Sequence, residues 1–279
     1  MKNSIVYCLT IILTAGSVHA QKGELTKVWE TDANLRVPES VILDKDRNVL
    51  FFSDIEGEPN AKDGKGSIGK MDVNGKVLNI DWLTGLNAPK GLAIFNNKLY
   101  VADVDEVVVI DIKSAKVLEH ISVFDSKFLN DISIDKNGIL YVTDTERGNI
   151  HRIETSNNNA LSTFLTGLKS VNGVLIIGED IYFLSAGTLW KSDKNKVVTK
   201  IAESMDESTD GLEQTKTGNF IVSCWTGIIY EVKPNGGKIV LLDTRQQKLN
   251  TADIGFDAEK NMIYVPTFFG NKIVAYKLK

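Results

Sequence analysis

The chain of 279 residues holds two cysteines, three histidines and five prolines, and each scarcity removes a class of answer. Cys8 falls in the N-terminal segment, so Cys224 stands alone and a disulfide framework is excluded. His19 falls in that segment too. His120 and His151 sit in strand-like patterns toward the outside of their repeat units, which argues against a tri-histidine zinc site or a histidine-activated nucleophile. No serine lies in a nucleophile-elbow motif. Neither charge dominates, with 32 Lys and Arg against 36 Asp and Glu. A weakly acidic surface argues against nucleic acid or an anionic membrane as the main partner. The longest apolar run, Ile5 to Leu13, is too short to cross a bilayer core, which takes ~20 helical residues. No helical period persists over a convincing length.

What is present begins with a targeting segment. Lys2 gives a basic start, the Ile5 to Leu13 run follows, and Ser17-Val-His-Ala20 ends with small residues where a signal peptidase reads. Residues 1–20 therefore read as a cleaved secretory signal. The expectation is a secreted or periplasmic protein, without membrane insertion after cleavage, whose residues 21–279 form one domain.

Six segments share a short polar step leading into an apolar run: Pro38-Glu-Ser-Val-Ile-Leu-Asp44, Pro89-Lys-Gly-Leu-Ala-Ile94, Leu129-Asn-Asp-Ile-Ser-Ile-Asp135, Val171-Asn-Gly-Val-Leu-Ile176, Thr209-Asp-Gly-Leu-Glu-Gln214 and Thr251-Ala-Asp-Ile-Gly-Phe-Asp257. Their second residues are spaced by 51, 40, 42, 38 and 42 positions. Each unit continues through a turn such as Asp135-Lys-Asn-Gly138 into an alternating strand such as Ile139-Leu-Tyr-Val-Thr143, then a third and a fourth strand. Four strands per period of about 43 residues describe a propeller blade. The sixth unit stops after its third strand, and Glu24-Leu-Thr-Lys-Val-Trp29 fits the gap. The predicted fold is all-β: a six-bladed β-propeller with four-stranded blades, its ring closed by the N-terminal strand so that no sheet edge is left open.

The first strand of each propeller blade is innermost, so the six second residues should ring one mouth of the central channel. They are Glu39, Lys90, Asn130, Asn172, Asp210 and Ala252, with Asp131 and Asp253 one position later. Carboxylate and carboxamide oxygens without Cys or His suit a hard divalent cation, with Glu39, Asn172 and Asp210 as the ligand set. The competing explanation is local, since Asn-Gly and Asp-Gly are common turn dipeptides. Repetition in register, with an acid or amide where plain Gly or Ser would serve the turn, favours the metal. Lys90 has two readings, a holder of a substrate carboxylate or oxyanion and an ion pair with Glu39 or Asp253 across the channel.

On these motifs the chain resembles the gluconolactonase and regucalcin (senescence marker protein) family of six-bladed propellers. Blade pattern carries the similarity over the whole mature chain, and Pro38-Glu39, Leu129-Asn130-Asp131, Val171-Asn172-Gly173 and Thr209-Asp210-Gly211 carry it in detail. The resemblance implies one divalent cation on Glu39, Asn172 and Asp210, with Ca²⁺ first and Mg²⁺, Mn²⁺ or Zn²⁺ as the other candidates. It also implies Asp210 as proton acceptor, Asn130 as a substrate contact, and hydrolysis of a sugar lactone or similar ester. Asp131, Lys90, Glu146 and Asp253 complete the expected substrate-binding set.

The chain departs from the family at Phe128, where an Arg is usual, and at Ile132, where a Gly is usual; Glu146 is an imperfect equivalent of a family Glu. Those losses point to a less polar substrate than a sugar acid, or to none. The segment Thr143-Asp-Thr-Glu-Arg-Gly-Asn-Ile150 resembles the NHL-repeat propellers, many of which are binding platforms. Three functions stay open: a lactonase-type hydrolase, a module binding a peptide, glycan or small ligand, and a metal-dependent lyase or epimerase. A monomer is expected.

Two further features have paired readings. Asp54-Ile-Glu-Gly-Glu58 with Lys62-Asp-Gly-Lys-Gly66 reads as a surface loop or a lid over the mouth. Trp225 and Phe268-Phe269 read as inter-blade packing or as the wall of an apolar pocket.

Overall fold

A computed structural model describes residues 25–279; the expected signal segment lies outside the described residues. Twenty-four strands form six four-stranded sheets, each antiparallel throughout. Blade 1 is Pro38–Asp44, Val49–Asp54, Gly66–Asp72 and Val77–Leu86, and blade 2 is Pro89–Phe95, Lys98–Asp103, Glu106–Asp111 and Lys116–Ser122. Blade 3 is Leu129–Ile134, Ile139–Asp144, Asn149–Glu154 and Ala160–Leu165, and blade 4 is Val171–Ile177, Asp180–Ser185, Thr188–Ser192 and Val198–Ala202. Blade 5 is Thr209–Gln214, Phe220–Cys224, Ile228–Val232 and Lys238–Asp243. Blade 6 takes Gly255–Asp257, Met262–Pro266 and Ile273–Leu278 from the C-terminal end of the chain and its outer strand, Leu25–Glu30, from the N-terminal side. The predicted six-bladed, N-terminally closed propeller is the observed fold.

Strand alternation builds the core. Side chains on a strand point to opposite faces in turn, so each second strand feeds two inter-blade clusters. Leu50 and Phe52 pack toward blade 6 while Phe51 packs toward blade 2; Leu140 and Val142 face blade 2 while Tyr141 faces blade 4. Six such clusters occupy the six junctions between blades. Second strands are therefore almost wholly buried, whereas the outer strand Lys116–Ser122 is buried only at Ile121.

The polar step that marks each repeat has a backbone cause. In blades 1 to 5 the inner strand carries one extra residue between its first and fourth positions, as in Pro38 opposite Asp54 followed by Val41 opposite Phe52. Such a β-bulge bends the strand and re-aims the residues inside it. The bulge residues include Glu39, Lys90, Asn130, Asn172 and Asp210, which it turns toward the channel mouth. Hydroxyls on the second strand hold three of the bulges: Ser53, Thr143 and Ser223 accept the backbone N–H of Ser40, Asp131 and Gly211 at 3.0, 3.0 and 2.8 Å. The position after the marker lies against the next blade. At Gly173 a Cβ would lie 2.3 Å from the Asp210 carbonyl oxygen, so a side chain there would push adjacent inner strands apart.

Among the described residues no helix is long and apolar enough to cross a membrane.

Candidate functional site at the channel mouth

One end of the channel opens into a cavity of about 630 Å³ whose lining includes Glu39, Lys90, Asn130, Asn172 and Asp210. Five of the six ring positions thus converge. The sixth, Ala252, is fully buried and packs with Ile55, Ala88, Val104 and Phe268 behind the wall.

Asn172 Nδ2 donates to Asp210 Oδ1 at 2.8 Å, joining two of the three expected metal ligands. Glu39 Oε2 and Asn172 Oδ1 are buried without a hydrogen-bond partner among the described residues. Buried polar atoms are nearly always partnered, so two orphan acceptors in one cavity call for an explanation. Burial first, then the charges of Asp210 and Asp253, push the Glu39 carboxyl well above the usual range. Asp210 is pushed up by burial and then by Asp253, against the donation from Asn172. The set contains two carboxylates and one amide; among the described residues no group of three or more His, Cys, Asp or Glu side chains is placed to hold a metal.

Lys90 is 1% exposed. Its Nζ donates to the Ala88 carbonyl at 2.9 Å and stands 4.4 Å from the centre of the Phe128 ring. It forms no ion pair among the described residues, and burial lowers its pKa to about 8 against the opposing pull of Glu39 and Asp103. Of the two readings of Lys90, the ion pair with Glu39 or Asp253 is not formed: the ammonium is held by a carbonyl and an aromatic face. Phe128 forms part of the cradle of Lys90.

The remaining expected contacts separate. Asn130 lines the cavity, its Nδ2 bonded to Thr145 Oγ1 at 3.0 Å. Asp131 and Asp253 instead line the channel below the mouth, with Glu213 and Ser133. Asp131 is engaged by the backbone N–H groups of Ile132 and Val174, both at 2.6 Å, and so ties blade 3 to blade 4. Asp253 accepts from Ser40 Oγ at 2.6 Å and ties blade 6 to blade 1. Glu146 is not brought to the cavity; it is half-exposed and pairs with Lys127 at 2.8 Å. In blade 3 the bulge explains the split between Asn130 and Asp131, because consecutive bulge residues face different levels of the channel.

Neither remaining histidine lines the cavity: His120 is on an outer strand, paired with Glu106, and His151 is buried on a third strand. Cys224 is a buried free thiol whose pKa burial pushes up, as its packed reading requires. Trp225, Phe268 and Phe269 do line the mouth, and Phe268 also belongs to the inter-blade packing, so both readings hold. From the first-blade loop, Ile55, Gly57, Glu58 and Pro59 complete the rim. Sequence reasoning missed Thr145 and Ser208; each stands in the short connection after or before a strand at the mouth end, a position that the blade period could have flagged.

No protein-family model matches the chain, and no curated protein matches it. Solved structures do resemble it. A streptogramin B lyase structure aligns with TM-score 0.66 at 11% identity over 92% of this chain and 97% of that one. A catalytically inactive histidine-to-alanine variant of virginiamycin B lyase from Staphylococcus aureus, with quinupristin, aligns with TM-score 0.64 at 12% identity over 92% and 99%. At such identities the likeness is one of fold, that of a six-bladed propeller.

Proposed function

We propose that the protein is a divalent-metal-dependent hydrolase of the gluconolactonase type, acting on a lactone or ester at the channel mouth. The observation that carries this reading is the pair of buried, unpartnered oxygens, Glu39 Oε2 and Asn172 Oδ1, beside the Asp210 carboxylate. An all-oxygen donor set of this kind fits a hard cation, Ca²⁺ first, and a cation would relieve the repulsion between Glu39 and Asp210. When bound, such a cation polarises a carbonyl oxygen and acidifies water.

The chain's own residues supply the rest. Asp210 takes a proton from the attacking water and returns it to the leaving alkoxide, so that water adds across the acyl C–O bond. Asn172 orients Asp210 through its 2.8 Å hydrogen bond. Lys90 has ammonium protons beyond the one given to Ala88 and offers them to a substrate carboxylate or a developing oxyanion. Asp131 and Asp253, engaged beneath the mouth, act on the ring through their charge rather than by touching substrate.

A second reading, elimination, draws support from the likeness to lyases. There a base removes a carbon-bound proton and the C–O bond breaks without water. Neither described histidine lines the cavity, so among the described residues that role would fall to Asp210.

The test is metal content and melting temperature of the mature protein, wild type beside Glu39→Ala, Asn172→Ala and Asp210→Asn, with chelator and with each cation. The expected result is one equivalent of metal and a rise in melting temperature on metal addition that all three changes diminish. Absence of binding at millimolar concentration would sink the proposal. Turnover in ¹⁸O-water then separates the two reactions, because hydrolysis places one solvent oxygen in the acid product and elimination places none.

A further inference from the structure

The wall of the mouth carries more information than its metal ring. Trp225, Phe268 and Phe269 meet edge to face, with ring centres 4.8 to 5.9 Å apart. Phe269 is 66% exposed while facing the cavity that holds the buried acids. Apolar and aromatic side chains lining a cavity beside a few polar groups make the usual wall of a small-molecule site. Its backbone is strained: Phe268 has φ 48°, in the left-handed region that a bulky residue seldom adopts. Polar clips hold that shape. Asn271 Oδ1 accepts the Val37 N–H at 3.1 Å, Thr267 Oγ1 donates to the Lys272 carbonyl at 3.0 Å, and Asn250 Nδ2 donates to the Trp225 carbonyl at 2.8 Å.

Outside the buried ring of Glu39, Lys90 and Asn172, several polar side chains around the cavity are already engaged. Asn130 donates to Thr145, Thr145 to the Val171 carbonyl at 2.7 Å, and Ser208 to Asp206 at 2.6 Å. A polyhydroxylated substrate needs a partner for each hydroxyl stripped of water, and the hydroxyl protons of Thr145 and Ser208 are already given to the Val171 carbonyl and to Asp206. An apolar ring needs only the aromatic wall.

We infer that the mouth takes lactones or esters bearing an apolar aromatic group, seated against Trp225, Phe268 and Phe269, in preference to polyhydroxylated sugar lactones. This inference rests on the hydrolase reading for the word ester, and its test separates the two. Binding is measured calorimetrically with hydrolysis-resistant lactam analogues of dihydrocoumarin and of gluconolactone, on wild type, Phe269→Ala and Phe269→Trp. Phe269 is largely exposed, so its variants keep the fold. The aromatic lactam should bind wild type roughly tenfold or more tightly than the sugar lactam, Phe269→Ala should weaken it roughly three- to tenfold, and Phe269→Trp should restore it. Equal or tighter binding of the sugar lactam, failure of the aromatic lactam to bind, or indifference to Phe269→Ala overturns the inference. Dihydrocoumarin that binds yet is never opened removes the hydrolase reading and leaves the aromatic subsite standing. Gluconolactone opened by a protein that ignores the aromatic lactam does the reverse.

Discussion

Asp253→Asn should stabilise the metal-free protein by an amount that grows as pH rises from about 4 to about 7. Asp253 is 8% exposed, and burial raises its pKa from 3.8 to about 7. It also raises its neighbours, standing among the repulsive charges felt by Glu39, Asp131, Asp210 and Glu213. An acid whose pKa is raised by folding contributes its full stability below its unfolded value, near 3.8, and loses it as pH climbs to about 7. At 1.36 kcal/mol for each tenfold change in proton affinity, that loss is about 4 kcal/mol. The amide oxygen of Asn can still accept from Ser40 Oγ, now at 2.6 Å, in a weaker neutral hydrogen bond that gives back about 1 kcal/mol. The net gain at pH 8 is about 3 kcal/mol, or roughly 6 to 12 °C in melting temperature for a chain of this size. At pH 4 the gain should vanish or turn slightly negative. Urea and thermal unfolding of chelator-treated wild type and variant at both pH values provide the assay. A variant that is less stable than wild type at pH 8, or equally stabilised at both pH values, would refute the electrostatic argument. Added Ca²⁺ should shrink the gain, because a cation on the ring turns the charge of Asp253 from repulsive to favourable.

Other perturbations probe the scaffold that aims the ring. Ser223 is fully buried; its Oγ accepts the Gly211 N–H at 2.8 Å and donates to the Ala252 carbonyl at 2.7 Å, linking blade 5 to blade 6. Ser223→Ala orphans both groups and should cost about 1–3 kcal/mol in chemical denaturation, with no dependence on metal. Gly173→Ala places a Cβ 2.3 Å from the Asp210 carbonyl oxygen. Isothermal titration should show metal affinity falling at least tenfold, because the blade carrying Asp210 is displaced against the blade carrying Asn172.

The oxygen-rich ring positions and the resemblance to sugar-lactone hydrolases point to the same ligand trio, and the structure supplies the reason that the rest of the expected set separates. Glu146 entered as an imperfect equivalent of a Glu in the resembled family, and the third-blade connection turns it outward to Lys127. Lys90 looked like half of an ion pair, and the Phe128 ring and the Ala88 carbonyl hold it instead. Both outcomes depend on the direction of a side chain leaving a turn or a bulge, which residue identity does not encode.

Local pattern was enough for the architecture. A period near 43 residues with strands of alternating polarity admits few packings other than a ring of sheets, and a final unit one strand short requires that strand from the N-terminal side. The identities at the inner-strand starts were likewise legible, since the repeat places them in register. Their level in the channel was not. One-residue bulges send Glu39, Asn172 and Asp210 to the mouth, those of Glu39 and Asp210 held by Ser53 and Ser223 on the partner strand, while Asp131 in the third-blade bulge, held by Thr143, and Asp253, ahead of the inner strand of blade 6, line the channel below. Only tertiary packing sets that level, because a bulge is defined by its partner strand, and the burial that shifts these acids is made by all six blades together.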